Sequence, residues 1–385
     1  MSFLLELRCS QCQKAFDSQV LQTFCPECQA PLVAVYDLEA ARSVLDRDAF
    51  LSRPCGMWRW HELLPVHHDQ NRVDLGAGDT PLLSASNLGR ELGLSRLYIK
   101  DESVNPTGSF KARGMAAAVS KAKELGVMKI AVPTAGNAGG ALAAYAACAG
   151  LEAHIFMPQD TPKANIEECR IMGAEVTCVP GLISDAAHAM GVKGLAEGWF
   201  DVSTFKEPYR PEGKKIMGYE LAESFGWQLP DVIVYPTGGG TGLVAMWQAF
   251  SEMKALGWLE SDHMPRMVVV QADGCAPVIK AFNAGADTCE FWPAAHTIAS
   301  GLRVPKSFAS PMILNTLRAS QGTAVAVSDG EIMAAQVQFA VEEGVFAAPE
   351  GAATLAGLKR LIDQGWINAD QKIVLFNTGT GLKYI

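Results

Sequence analysis

The chain has 385 residues, 49% of them hydrophobic, which suits two packed domains and excludes a disordered chain. Lys and Arg number 32 against 41 Asp and Glu, a formal charge of −9 with no basic run, so a nucleic-acid backbone is not an expected partner. The start "MSFLLELRCSQC" is not a basic leader followed by an apolar stretch, and nowhere do about 18 apolar residues run without a charge. No membrane partner is expected, and the cytoplasm is the expected compartment.

Residues 1–35 read as a unit of their own. "CSQC" (Cys9, Cys12) and "CPEC" (Cys25, Cys28) form two cysteine knuckles twelve residues apart, a spacing that suits a closed tetrahedral zinc site in a segment too short to stabilise itself by burial. Gln13 and Gln29 follow the knuckles, where a small turn-forming residue would be easier to accommodate. Ten cysteines in the whole chain are too few for a disulfide scaffold, so reduced thiols are expected. Residues 36–96 read as a connector, including "MWRWHELLP", that leads into part of a larger domain.

From about residue 97 short β-rich runs alternate with Ala- and Gly-rich helical stretches. The runs are "RLYIK", "KIAVP", "AHIFM", "AEVTCV", "DVIVYP", "RMVVVQA", "TAVAV" and "KIVLFN". Such alternation predicts an α/β fold of two doubly wound, mostly parallel sheets, a small domain over 97–205 and a large one over 206–385. Ligands bind such sheets where strand ends meet helix starts.

Four loops of that kind stand out. "NPTGSFKARG" sets Lys111 at a helix start, where the helix dipole disfavours a cation. "TAGNAGG" puts Asn137 at another helix start, where an N-cap is the ordinary role. "TGGGTG" (Thr237 to Gly242) lets backbone approach an anion ahead of free helix amides, without the dinucleotide spacing or the P-loop lysine. "TGTG" (Thr378 to Gly381) ends the last strand. A buried lysine of lowered pKa can form a Schiff base with an aldehyde, and pyridoxal 5′-phosphate is the aldehyde cofactor that also carries a phosphate.

In order and separation these motifs resemble the fold type II pyridoxal-phosphate enzymes, the tryptophan synthase β-like group, from about residue 75 onward. With "LGAGDTPLL", "TGTGLK" and the four-cysteine ribbon, the chain is most similar to the threonine synthases within that group. The resemblance implies a lyase that converts O-phospho-L-homoserine and water to L-threonine and phosphate, working as a homodimer on a small amino-acid phosphate. It implies that Lys111 is the Schiff-base lysine and catalytic base. Asn137 would contact the cofactor's 3′-oxygen, Gly238, Gly239, Gly240 and Thr241 its phosphate, and Thr378 its pyridine nitrogen. Ser109, Thr134, Ser203 and Arg210 would bind substrate, with Arg210 forking onto the substrate phosphate. Two positions and a loop depart from the threonine synthase pattern: Ala112 replaces the usual Asp, Ala135 a frequent hydroxyl, and the phosphate loop is "GGGTG" where several have asparagines. Ala135 and the glycine-rich loop lean towards serine and threonine dehydratases, which however carry a histidine where Ala138 stands and lack the ribbon. A dehydratase or a cysteate synthase-like β-replacement enzyme is the alternative reading.

Overall fold

A computed structural model describes residues 1–385. Its thirteen strands are β1 (Leu4–Cys9), β2 (Ala15–Asp17), β3 (Leu32–Tyr36), β4 (Leu82–Ser84), β5 (Arg96–Asp101), β6 (Lys129–Pro133), β7 (Glu152–Pro158), β8 (Glu175–Val179), β9 (Phe200–Asp201), β10 (Val232–Pro236), β11 (Arg266–Ala272), β12 (Thr323–Val327) and β13 (Lys372–Asn377). They build an antiparallel sheet in the order β2-β1-β3, a six-stranded sheet β12-β11-β10-β13-β5-β4 and a four-stranded sheet β8-β7-β6-β9. The two larger sheets are parallel throughout except for β4, which runs antiparallel to β5 along one edge.

All eight runs singled out in the sequence are strands. One boundary differs from expectation: β5 pairs with β13 in the six-stranded sheet, register Leu97 to Ile373, so the four-stranded sheet begins only at Lys129. Its apolar residues are needed there. Ile99 packs with Val232, Val234, Ile373 and Leu375 in one core cluster, while Ile233, Tyr235, Val374 and Phe376 pack into another on the opposite face. Consecutive residues thus serve opposite cores, the period-two consequence of a pleated strand buried on both faces.

The segment read as a connector contributes to the core. Short 3₁₀ turns over Arg47–Ser52 and Met57–Leu63 bring Trp60, fully buried, onto Phe50 (centroids 4.5 Å) and Tyr219 (5.2 Å). Arg59 beside it reaches Asp79 at 2.8 Å and also pairs with Glu223. Leu4, Leu7 and Leu32 of the N-terminal sheet join the same 70-residue cluster, which ties the ribbon to the body of the protein.

Candidate active site

Each of the four predicted loops follows the carboxyl end of a parallel strand: β5 leads to Lys111, β6 to Asn137, β10 to the glycines and β13 to Thr378. The two sheets face one another across a pocket that these loops line. Lys111 opens the helix Lys111–Glu124, and the turn before it is stitched to the C-terminal loop. Phe110 N–H donates to Thr378 O at 3.1 Å, and Thr380 N–H to Gly108 O at 2.9 Å. Two residues on, Arg113 is completely buried and donates to Glu102 and Glu220, each at 2.6 Å, while Lys100 reaches Glu220 at 2.7 Å. This paired cluster fixes the helix start that carries Lys111.

The Lys111 amine has no hydrogen-bond acceptor and sits 4.3 Å from the centroid of the Phe110 ring. Its pKa falls to about 8, first through burial and then through the positive charge of Arg210, with Glu350 pulling the other way. Neutral amine is therefore abundant just above neutral pH, which a nucleophile or proton carrier requires.

Asn137 opens the helix Asn137–Ala149. Its Nδ2 lies 3.4 Å from the Tyr384 hydroxyl, which donates to Glu350 at 2.9 Å, while its Oδ1 is buried without any partner. Ahead of the helix Thr241–Leu256, the backbone N–H groups of Gly238, Gly239, Gly240 and Thr241 donate to no acceptor in the protein. A Cβ on Gly239 would meet Thr204 Cγ2 at 2.5 Å, and Gly240 takes φ 76°, so this loop needs glycine for space and for conformation. Four free amides at a helix start make an anion seat.

Arg210 is 1% exposed. Its Nη1 donates to Val202 O at 2.6 Å, but its Nε is buried and unpartnered. Its backbone N–H donates to Glu207, whose carboxyl burial pushes up to about 7. In one cavity, then, a molecule with an aldehyde, a hydroxyl and a phosphate would meet a free amine, an unspent amide oxygen and four free amides.

Lys111, Thr134, Asn137, Gly238, Gly239, Gly240, Thr241, Arg210 and Thr378 all line this pocket. Two predicted substrate residues do not. Ser109 is fully buried under the stitched turn, its Oγ 3.4 Å from Lys111 N. Ser203 turns its hydroxyl and its N–H onto Asp201, the latter at 2.8 Å, and the neighbouring Thr204 lines the pocket instead. Glu350 and Tyr384 were not anticipated. Nothing local in the sequence marks them, since their contacts span large separations in the chain.

Beside the pocket two ion pairs cross from the four-stranded unit to the six-stranded one: Asp160 with Arg303 at 2.7 Å, and Glu168 with Lys383 at 2.6 Å. In the N-terminal unit the four predicted thiols converge. Cys9 and Cys28 Sγ are 3.2 Å apart, Cys12 and Cys25 Sγ 3.7 Å, and all four lie within 4.8 Å of one another. Four sulfurs at about 2.3 Å from a tetrahedral zinc would stand about 3.8 Å apart, so the donor set fits that ion. Gln13 and Gln29 take the left-handed conformation, φ 62° and 55°, that the knuckles demand.

The family model described as "Pyridoxal-phosphate dependent enzyme" matches residues 73–379. The threonine synthase of Methanocaldococcus jannaschii is 36% identical over 378 residues, 98% of this chain and 92% of the relative. That of Methanosarcina acetivorans is 33% identical over 381 residues, 99% of this chain and 92% of the relative. Among solved structures, maize serine racemase superposes with a TM-score of 0.68 at 22% identity, covering 78% of this chain and 88% of that one. Threonine deaminase isoform 2 from Solanum lycopersicum gives 0.67 at 21%, covering 85% and 92%. These two likenesses concern the fold.

Proposed function

Because the chain belongs to the pyridoxal-phosphate-dependent enzymes, we propose that it is a threonine synthase, a lyase that turns O-phospho-L-homoserine and water into L-threonine and phosphate. One observation carries the substrate class: the pocket holds more anion-binding capacity than a single phosphate needs. The glycine loop offers four free amides, and Arg210 adds a buried cation with an unspent Nε. A cofactor phosphate occupies the first, and a phosphorylated substrate uses the second. Serine or threonine would offer only the α-carboxylate that every amino-acid substrate carries, and no second anion for Arg210 to hold. The two archaeal relatives of nearly full length, ribbon region included, bear the threonine synthase name.

The residues divide the work as follows. Lys111 would hold the cofactor by its aldehyde carbon, the loop from Gly238 to Thr241 would hold its phosphate, Asn137 its ring oxygen and Thr378 its ring nitrogen. When bound, pyridoxal phosphate supplies the electron sink that allows protons to leave the substrate's carbon skeleton. Lys111, once free, is the base that moves protons at the α and β carbons, a role its low pKa suits. Arg210 forks onto the departing phosphate. Glu350 accepts from Tyr384, which fixes Asn137 at the edge of the site. A hydroxyl at Thr378, in place of a carboxylate, does not keep the ring nitrogen protonated, and this suits elimination and replacement over transamination.

The reading extends to a structural zinc on Cys9, Cys12, Cys25 and Cys28, supported by their convergence, and to a cytoplasmic homodimer, supported by the family likeness. The test is a substrate panel. Phosphate and threonine are expected in equal amounts from O-phosphohomoserine, and ammonia from serine or threonine at no more than a trace. Ammonia without phosphate release would put the dehydratase reading in its place. Borohydride reduction should fix pyridoxyl label to the wild type and not to Lys111→Ala.

A further inference from the structure

Two adjacent lysines on the helix Tyr209–Ser224 are both fully buried, and their surroundings differ. Lys215 is held by Glu212 at 2.7 Å and Glu252 at 3.1 Å. Lys214 has no carboxylate within ion-pair distance. Its single hydrogen bond, 2.6 Å long, runs to Thr241 Oγ1. Burial holds its pKa well below the ordinary lysine range, the charges of Arg210 and Lys111 add to this, and Glu207 opposes it; the Phe110 ring centroid lies 5.0 Å from the amine. A buried amine without an anion costs several kcal/mol when charged unless something in the functioning protein balances it.

Thr241 is where that balance is to be found. It closes the glycine loop, opens the following helix and lines the pocket, whereas Lys214 lies behind it, outside the pocket wall. A threonine hydroxyl has one proton to give. When Lys214 carries its proton it can only donate to Thr241 Oγ1, which leaves the hydroxyl's own proton for an acceptor on the side that lines the pocket. We propose that Lys214 is a positioning residue for the cofactor phosphate, acting through the Thr241 hydroxyl as a buried counter-charge to a group it does not itself touch. This rests on the cofactor reading but not on the identity of the amino-acid substrate.

The experiment compares two ligands that differ only in the phosphate. Equilibrium dissociation constants of pyridoxal 5′-phosphate and of pyridoxal are measured on the full-length apoprotein by fluorescence, for wild type, Lys214→Met, Lys214→Gln, Thr241→Val and the double variant Lys214→Met/Thr241→Val. Lys214→Met is expected to weaken pyridoxal phosphate by about 10- to 100-fold, the loss of one charge-assisted contact, and pyridoxal by less than about threefold. Glutamine, which keeps a donor but no charge, should fall between. The double variant should lose little more than the larger single loss, because one relay is broken twice. An equal loss for both ligands would reduce Lys214 to a structural residue, and unchanged constants or simple additivity would overturn the relay. If Lys214→Met does not fold, Thr241→Val and Lys214→Gln decide the matter by the same ligand ratio. A wild type that shows no preference for the phosphorylated ligand would instead overturn the cofactor reading.

Discussion

Two buried charge clusters lie within one helix turn of each other, and they are built on opposite rules. Around Arg113 the count is even: Arg113 and Lys100 face Glu102 and Glu220, all at most 3% exposed along their side chains, and each charge is met at 2.7 Å or less. At the pocket it is uneven. Lys111 and Arg210 line it and Lys214 stands just behind its wall, and of the acids nearby Glu207 is pushed up towards neutrality while Glu350 is engaged by Tyr384 and Gly301 N–H. A buried ion pair completed within the protein serves architecture. A buried cation with donors to spare is completed by a ligand, so the imbalance itself marks the site.

The comparison is broken most directly by making the same substitution on both sides. Arg113→Met leaves two buried carboxylates facing each other and should lower stability by about 3–5 kcal/mol. Arg210→Met removes a cation that no carboxylate pairs and forfeits only its bond to Val202 O, so the apoprotein should lose far less stability than Arg113→Met. Urea midpoints of the two apoproteins read the contrast, and equal destabilisation would erase the distinction between the clusters.

The next effect is on turnover. If Arg210 receives the substrate phosphate, Arg210→Ala should cost roughly 2–4 kcal/mol in kcat/KM for O-phosphohomoserine. Arg210→Lys should recover only part, since it supplies a charge without the fork. Both variants within about threefold of wild type, or about 0.7 kcal/mol, would show that another cation carries the phosphate.

The smallest effect concerns protons. Below its pKa the Lys111 amine is charged and cannot attack an aldehyde; above it the amine is free. Capture of pyridoxal phosphate by the apoprotein should therefore accelerate as pH rises through about 8, well short of the ordinary lysine value of 10.5. Removing the Arg210 charge should move that midpoint upward, because Arg210 helps to keep the amine neutral, while the part due to burial remains. Stopped-flow capture rates across pH 6.5 to 10 for wild type and Arg210→Met measure both.

How much of this was legible in the sequence follows from how local each signal is. Eight strands of the two larger sheets were readable because β-branched apolar runs such as "DVIVYP" serve two cores at once, whereas β1 and β3, of similar length, belong to the small N-terminal sheet. β4 and β9, three and two residues long, carry no such pattern. Trp60 lies in 3₁₀ turns, which leave no helical period to read in the sequence. The loops around Lys111, Asn137 and Gly238 announced themselves through small residues at strand ends. The direction of a side chain did not: Ser203 and Thr204 look alike in sequence, yet only Thr204 lines the pocket. Glu350 and Tyr384 depend on contacts such as Asn137 to Tyr384, 247 residues apart, that only the folded chain creates.

The ion pairs that straddle the pocket bear on how long a ligand stays. Any parting of the two units beside the site must break Asp160–Arg303 and Glu168–Lys383, whose acids and bases belong to different sheets. Each partly exposed pair contributes about 1 kcal/mol or less, and added salt screens such a contact over about 3 Å at 1 M. Ionic strength is thus a handle on residence time: concentrated salt should hasten release from this cleft while leaving the paired core around Arg113, which water does not reach, untouched.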